Sequence, residues 1–166
     1  MEERPKIKLK LNTPDKVLEI LSWTSIILIW VFTITYYKNL PETIPIHYNG
    51  AGEADRFGKK SNILSLPLIS TVIFIGITIL NKFPYVFNYP TNLTTDNALR
   101  HYENATRYLR YLKFIIVIIF GIVVFQTIQN PNGQSDGLGI WFLPMTIGLI
   151  LIPLIYLVIK SFKATK

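Results

Sequence analysis

Residues 45–60 read PIHYNGAGEADRFGKK: one imidazole, two carboxylates, three bases and three glycines within a short stretch. His47, Glu53 and Asp55 carry the chemistry, because one nitrogen and two carboxylate oxygens can hold a divalent ion. No second His lies nearby, and the chain has no Cys, which excludes disulfides and thiolate chemistry. A nucleophile needs a base in reach; Ser61 and Ser65 follow closely, but no nucleophile signature surrounds either. The residues therefore read as having no catalytic group, no metal ligand set and no resident cofactor. A membrane-embedded metal-dependent enzyme using His47 and Asp55 stays as an alternative.

The stretch has a defined shape. Pro41 and Pro45 hold the chain extended. Ile44, Ile46 and Tyr48 alternate with Pro45, His47 and Asn49, a short strand pattern. Asn49-Gly50-Ala51-Gly52 is turn chemistry, and 53–58 returns. So short a unit buries no core of its own. It is expected to rest on neighbouring helix ends through Ile44, Ile46, Tyr48 and Phe57. Two readings of its polar groups compete. In one it is a folded plug, with Asp55 paired to Arg56 or Lys60 and His47 bonded to a backbone carbonyl. In the other, its exposed polar and aromatic groups form a recognition surface.

The elements that must carry this loop are apolar. Half of the residues are hydrophobic and only 16% are charged, against about a quarter in soluble domains. The apolar residues collect in four blocks, 17–37, 63–80, 111–126 and 138–159. A helix of roughly 20 residues crosses a hydrocarbon core of about 30 Å. The expected fold is an all-α membrane protein, a four-transmembrane-helix bundle with a structured extracytoplasmic loop between helices 1 and 2. Helices are expected over about 14–37, 62–81, 95–129 and 139–160, with the outer loop over 38–61. Residues 13–166 then make a single four-helix domain behind a basic, unpatterned segment, 1–12, lying mobile at the membrane surface. The first block is expected to act as a signal anchor, since it lacks a small-residue cleavage site.

Thirteen of the seventeen Lys and Arg residues fall on one side if both termini are cytoplasmic, and only Lys38, Arg56, Lys59 and Lys60 fall on the other. Short basic segments stay cytoplasmic, so the loop is expected outside a cytoplasmic (inner) membrane crossed several times. The net charge of +7 reads as this bias and not as a nucleic-acid footprint. The bilayer is the partner implied first.

Local signals refine the picture. Thr13-Pro14-Asp15 reads as a helix start with Thr13 as cap, and Glu19 is expected to pair with Lys16 at the interface. Ser61 or Asn62 is expected to cap helix 2, and Thr94-Thr95-Asp96 opens helix 3. On helix 3, Leu99, Tyr102, Thr106 and Leu109 form one expected face, with Arg100, Glu103, Arg107 and Arg110 on others. No break separates this stretch from the membrane run, so a single rod of about 50 Å is expected at 1.5 Å per residue. Asn92-Leu-Thr and Asn104-Ala-Thr match glycosylation acceptors but fall on the cytoplasmic side. The 130–139 segment is a turn cluster with no base. Pro144 and Pro153 are placed inside helix 4, where proline frees backbone carbonyls that neighbours must satisfy. Almost no ionisable group is expected at mid-membrane depth, so a small transporter subunit stays only as a further alternative.

The string Leu40-Pro41-Glu42-x-Ile44-Pro45-x-His47-Tyr48-Asn49-x-x-Gly52-Glu53-x-Asp55-Arg56-Phe57-Gly58-x-Lys60, followed by a Pro-containing membrane helix, resembles a domain of unknown function. That domain is found at the N-terminal end of SdpI-type bacterial immunity and signalling membrane proteins. Asn97, Arg100 and Tyr102 resemble a second stretch of the same family, and the likeness covers roughly 15–128. It implies a prokaryotic membrane protein with an outward loop, and binding residues at Pro45, His47, Asn49, Gly52, Asp55, Gly58 and Lys60. It implies an immunity or signalling role whose partner is an extracytoplasmic peptide or another membrane protein.

Overall fold

The computed structural model describes residues 4–133 and 137–163. The remaining parts of the 1–12 segment and of the 130–139 turn lie outside the described residues. Four helices are long and apolar enough to span a membrane. They are α1 (Thr13–Tyr37), α2 (Ser65–Leu80), α3 (Thr95–Gln129) and α4 (Phe142–Lys163). Between α1 and α2 lies an antiparallel hairpin, β1 (Thr43–Tyr48) and β2 (Ala54–Lys59), and a 3-10 turn over Lys60–Leu64 leads into α2. The chain is therefore an all-α membrane bundle carrying a small two-stranded loop at one end.

The cap of α1 is Asn12, one residue before the Thr13 expected. Asn12 Oδ1 accepts the Asp15 N–H at 3.1 Å, and Asp15 Oδ2 accepts the Asn12 N–H at 3.2 Å. Only from Asn12 is an acid three residues on available to close a reciprocal box. At α2 neither Ser61 nor Asn62 is the cap: both sit inside the 3-10 turn, and α2 starts with no side-chain cap. Thr94 does cap α3, reciprocally with Asn97. The helix then runs unbroken through 35 residues, far more than a hydrocarbon core requires, so its first half stands clear of the span. Pro144 lies in the first turn of α4, leaving Pro153 as the proline inside that helix.

Several hydroxyls on these helices are satisfied locally. Ser22, Thr33, Thr71, Thr78, Thr106 and Thr127 each donate to the carbonyl four residues back, which lets polar side chains sit in lipid-level helices. The central core joins Ile26 and Ile29 of α1, Phe74 of α2, and Val117 and Val124 of α3. Gly121 brings α3 close to α1: a Cβ there would lie 3.2 Å from Ile29. The α4 helix packs on α3. Its interior proline shows how the bundle handles a freed carbonyl. Pro153 has no N–H for Leu149 O, and Tyr111 Oη donates to that oxygen at 3.1 Å, while Tyr108 Oη donates to Ile150 O at 3.2 Å.

The N-terminal segment is patterned after all. Arg4, Lys6, Lys8 and Lys10 are exposed, while Pro5, Ile7 and Leu9 between them are half-buried. Arg4 Nη1 donates to the carbonyls of Tyr85 and Phe87 at 3.1 and 2.7 Å, and Lys6 Nζ lies 5.7 Å from the Tyr85 ring centroid. An extended chain puts alternate residues on opposite sides, so the alternation over 4–10 seats Pro5, Ile7 and Leu9 and turns the bases outward.

Candidate functional site

The hairpin is built to be rigid. Asn49 organises its turn: Oδ1 accepts from the N–H groups of Ala51 and Glu53 at 2.9 and 3.0 Å, and Nδ2 donates to Glu53 Oε2 at 2.9 Å. Gly52 has φ +84, and a Cβ on it would lie 2.5 Å from the Gly139 backbone. Its carbonyl accepts the Leu138 N–H at 2.7 Å. The α3–α4 connection thus clamps the hairpin tip, and only glycine fits between the two backbones. Phe57 lies across Gly133 of the same connection, where a Cβ would come within 2.6 Å of its ring.

The anchoring residues differ in part from those expected. Ile44 is fully buried, clustered with Leu40 and Ile63. Tyr48 reaches Thr127 of α3, hydroxyl to hydroxyl, at 3.0 Å, and burial raises its phenol pKa. Ile46 and Phe57 instead stay about half exposed, at 47% and 46%. The ladder is irregular on both sides of His47; such bulges re-aim side chains.

The polar pairing also differs from the plug expected. His47 Nδ1 donates to Asp55 Oδ1 at 2.5 Å, with both side chains well exposed, at 47% and 40%. Among the described residues Asp55 pairs with neither Arg56 nor Lys60, and His47 bonds no carbonyl. The His47 hydrogen bond, aided by the charges of His47 and Arg56, holds the Asp55 carboxyl below its usual range. Lys60 turns to Glu42 at 2.8 Å and lies 5.8 Å from the Tyr37 ring centroid. Glu53 is taken by Asn49. Among the described residues no group of three His, Cys, Asp or Glu is placed to hold a metal ion. Pro45, Asn49, Gly52, Gly58 and Lys60 shape or anchor the hairpin, while His47 and Asp55 face outward together. A cleft of about 230 Å³ runs under the hairpin, lined by Pro45, Tyr48, Asn62 and Thr127 among others.

The second set of residues does not join this site. Asn97 is a capping residue: Oδ1 accepts the Thr94 N–H at 2.9 Å and Nδ2 donates to Asn92 O at 3.1 Å. Tyr102 is fully buried against Tyr89, ring centroids 5.7 Å apart, and Arg100 is exposed. All three belong to the first half of α3, away from the hairpin.

The largest departure from expectation is an ionic cluster at the end of the bundle opposite the hairpin. The buried stripe of α3 is Ala98, Tyr102, Thr106, Arg110, Lys113 and Val117; Leu99 is exposed and Arg110 buried, the reverse of the expected face. Two acids of α1 meet these bases. Arg107 Nε donates to Asp15 Oδ1 at 2.9 Å. Lys113 Nζ donates to Glu19 Oε2 at 2.7 Å and to Thr78 Oγ1 of α2 at 3.1 Å, and lies 4.6 Å from the Phe74 ring centroid. Arg110 Nε is 3.2 Å from Glu19 Oε1, an ion-pair distance without hydrogen-bond alignment. Glu19 therefore answers α3 and not Lys16. The spacings were the available signal: acids at 15 and 19, bases at 107, 110 and 113, each set on one helical face.

The fold and this hairpin define a polytopic membrane protein. A family profile described as a domain of unknown function (DUF1648) matches residues 24–71, which hold most of α1, the hairpin and the start of α2. An uncharacterized protein of Archaeoglobus fulgidus is 28% identical over 116 residues, covering 65% of this chain and 63% of that relative. The match spans less than two thirds of the relative's length. No solved structure matches the chain.

Proposed function

We propose that this protein is a non-catalytic recognition protein of the cytoplasmic membrane, with both termini cytoplasmic and the hairpin outside, in an immunity, signalling or envelope-partner role. One observation carries the reading. The hairpin backbone is fixed at its tip by Gly52 and at its base by Leu40 and Ile44, yet the His47–Asp55 pair, Ile46 and Phe57 stay exposed. A rigid backbone presenting exposed aromatic, aliphatic and ionic groups lowers the ordering cost of binding. The partner class that suits it is an extracytoplasmic peptide or the outer part of another membrane protein. Residues 13–166 act in this reading as one membrane unit, with 1–12 as an appended basic segment. The basic residues concentrate on the end away from the hairpin, which supports the orientation.

The test is photo-crosslinking in native membranes from a benzophenone side chain at position 46, compared with the same probe at exposed Leu68 of α2. A discrete adduct specific to position 46, reduced by His47→Ala at equal insertion, is expected. Identical adducts from both positions would overturn the reading.

A further inference from the structure

The ionic cluster leaves positive charge over, and a cleft lies beside it. Two carboxylates, Asp15 and Glu19, answer three bases of α3. Lys160 of α4 donates to a neutral partner, Asn104 Oδ1, at 3.0 Å. Among the described residues no carboxylate pairs with Lys160. Arg107 is engaged through Nε by Asp15, and its side chain is 36% exposed. Arg107 and Lys160 both line a cleft of about 390 Å³ between α3 and α4, which Leu18 of α1 also reaches.

The rest of the lining says what kind of anion fits. Asn104, bonded to Lys160, adds a polar group to the lining, and Leu18 and Leu157 supply apolar surface. Tyr156, also in the lining, is largely exposed, so the cleft opens to the surroundings of α4. That helix is one of the candidate membrane spans, so in a bilayer the cleft opens toward lipid. The Asn104–Lys160 contact sits near the last turns of α4 and about two turns before the apolar run of α3, a position that suits the headgroup region of a bilayer. A soluble anion would gain nothing from the apolar surface, whereas a phosphate carrying an acyl chain uses both kinds of lining. We infer that this cleft is a binding site for a phosphate-bearing lipid headgroup, held by Arg107 and Lys160 with its chain along Leu18 and Leu157. The inference is independent of the role assigned to the hairpin.

The experiment is native mass spectrometry of the full chain released from phosphatidylcholine nanodiscs doped with phosphatidic acid. Three variants are compared: Lys160→Gln removes the unpaired cation, Leu157→Trp adds bulk to the apolar surface, and Lys16→Gln removes an exposed base at the same end outside the cleft. The wild type and Lys16→Gln are expected to retain phosphatidic acid over phosphatidylcholine. Lys160→Gln is expected to weaken retention about fivefold, the equivalent of roughly 1 kcal/mol for one basic residue near a membrane surface. Leu157→Trp weakens it without changing charge, and so gives the answer should Lys160→Gln impair folding. Retention unchanged by both cleft variants, or equal retention of phosphatidylcholine, would overturn the site. Loss of the retained phosphatidic acid on adding an equal concentration of inorganic phosphate would overturn the lipid assignment.

Discussion

Lys113 Nζ donates to Glu19 Oε2 at 2.7 Å across the α1–α3 contact, and the lysine side chain is wholly buried. Its second hydrogen bond, to Thr78 Oγ1, brings in α2, so one ammonium ties three helices together. A buried charge is tolerated only when paired and hydrogen-bonded. Glu19→Gln should therefore destabilise the bundle by about 3 kcal/mol, read as a shift of the unfolding midpoint in mixed micelles. Lys16→Gln, at an exposed base one turn away, should leave the midpoint unchanged.

The hairpin tip depends on Gly52. Gly52→Ala adds a Cβ at positive φ against the Gly139 backbone, which costs on the order of 1–3 kcal/mol for the backbone alone. Faster amide exchange is expected over 43–59 and over 137–141 together, since each backbone holds the other. Gly50→Ala, where a Cβ meets nothing within 4 Å, should exchange like the wild type.

The His47–Asp55 contact gives a pH dependence with a definite sign. The folded Asp55 carboxyl lies below its ordinary value, so its contribution is complete above the unfolded carboxylate pKa of about 3.9. It is lost as pH falls through the lower folded value. Once corrected for intrinsic exchange, hairpin protection should drop between pH 4 and more acidic conditions. Asp55→Asn should lack that drop.

Tyr111 and Pro153 should be coupled. Tyr111→Phe removes the donor to Leu149 O and should cost about 0.6 kcal/mol, the usual scale for such bonds in membranes. Pro153→Ala restores an N–H at the position that bonds Leu149 O. In that background Tyr111→Phe should cost close to nothing, and a double-mutant cycle in mixed micelles reads the difference.

Much of this architecture is legible from local pattern. Four apolar runs call for spanning helices, the unbroken 95–129 stretch for one rod, and Asn49 with Gly52 for a tight turn. The tertiary pairings are not legible in the same way. Glu19 has Lys16 in local reach, and nothing near it announces Lys113, 94 residues on. On α3, Tyr102 and Thr106 are buried as their spacing suggests, but Leu99 is exposed and Leu109 only half-buried. The helix instead turns Arg110 and Lys113 inward, where α1 supplies two acids. Likewise the expected alternation of β1 points Ile46 inward with Ile44 and Tyr48, but irregular pairing at Pro45/His47 and His47/Tyr48 leaves it exposed.

The orientation of the hairpin is the claim on which its recognition role depends. With no native Cys in the chain, single-cysteine labelling by a membrane-impermeant maleimide in intact cells tests it directly, using Gly50→Cys at the tip and Arg100→Cys on the exposed side of α3. Labelling of Gly50→Cys in intact cells, with Arg100→Cys labelled only after permeabilisation, is the expected result. External labelling at position 100 with protection at position 50 would contradict it.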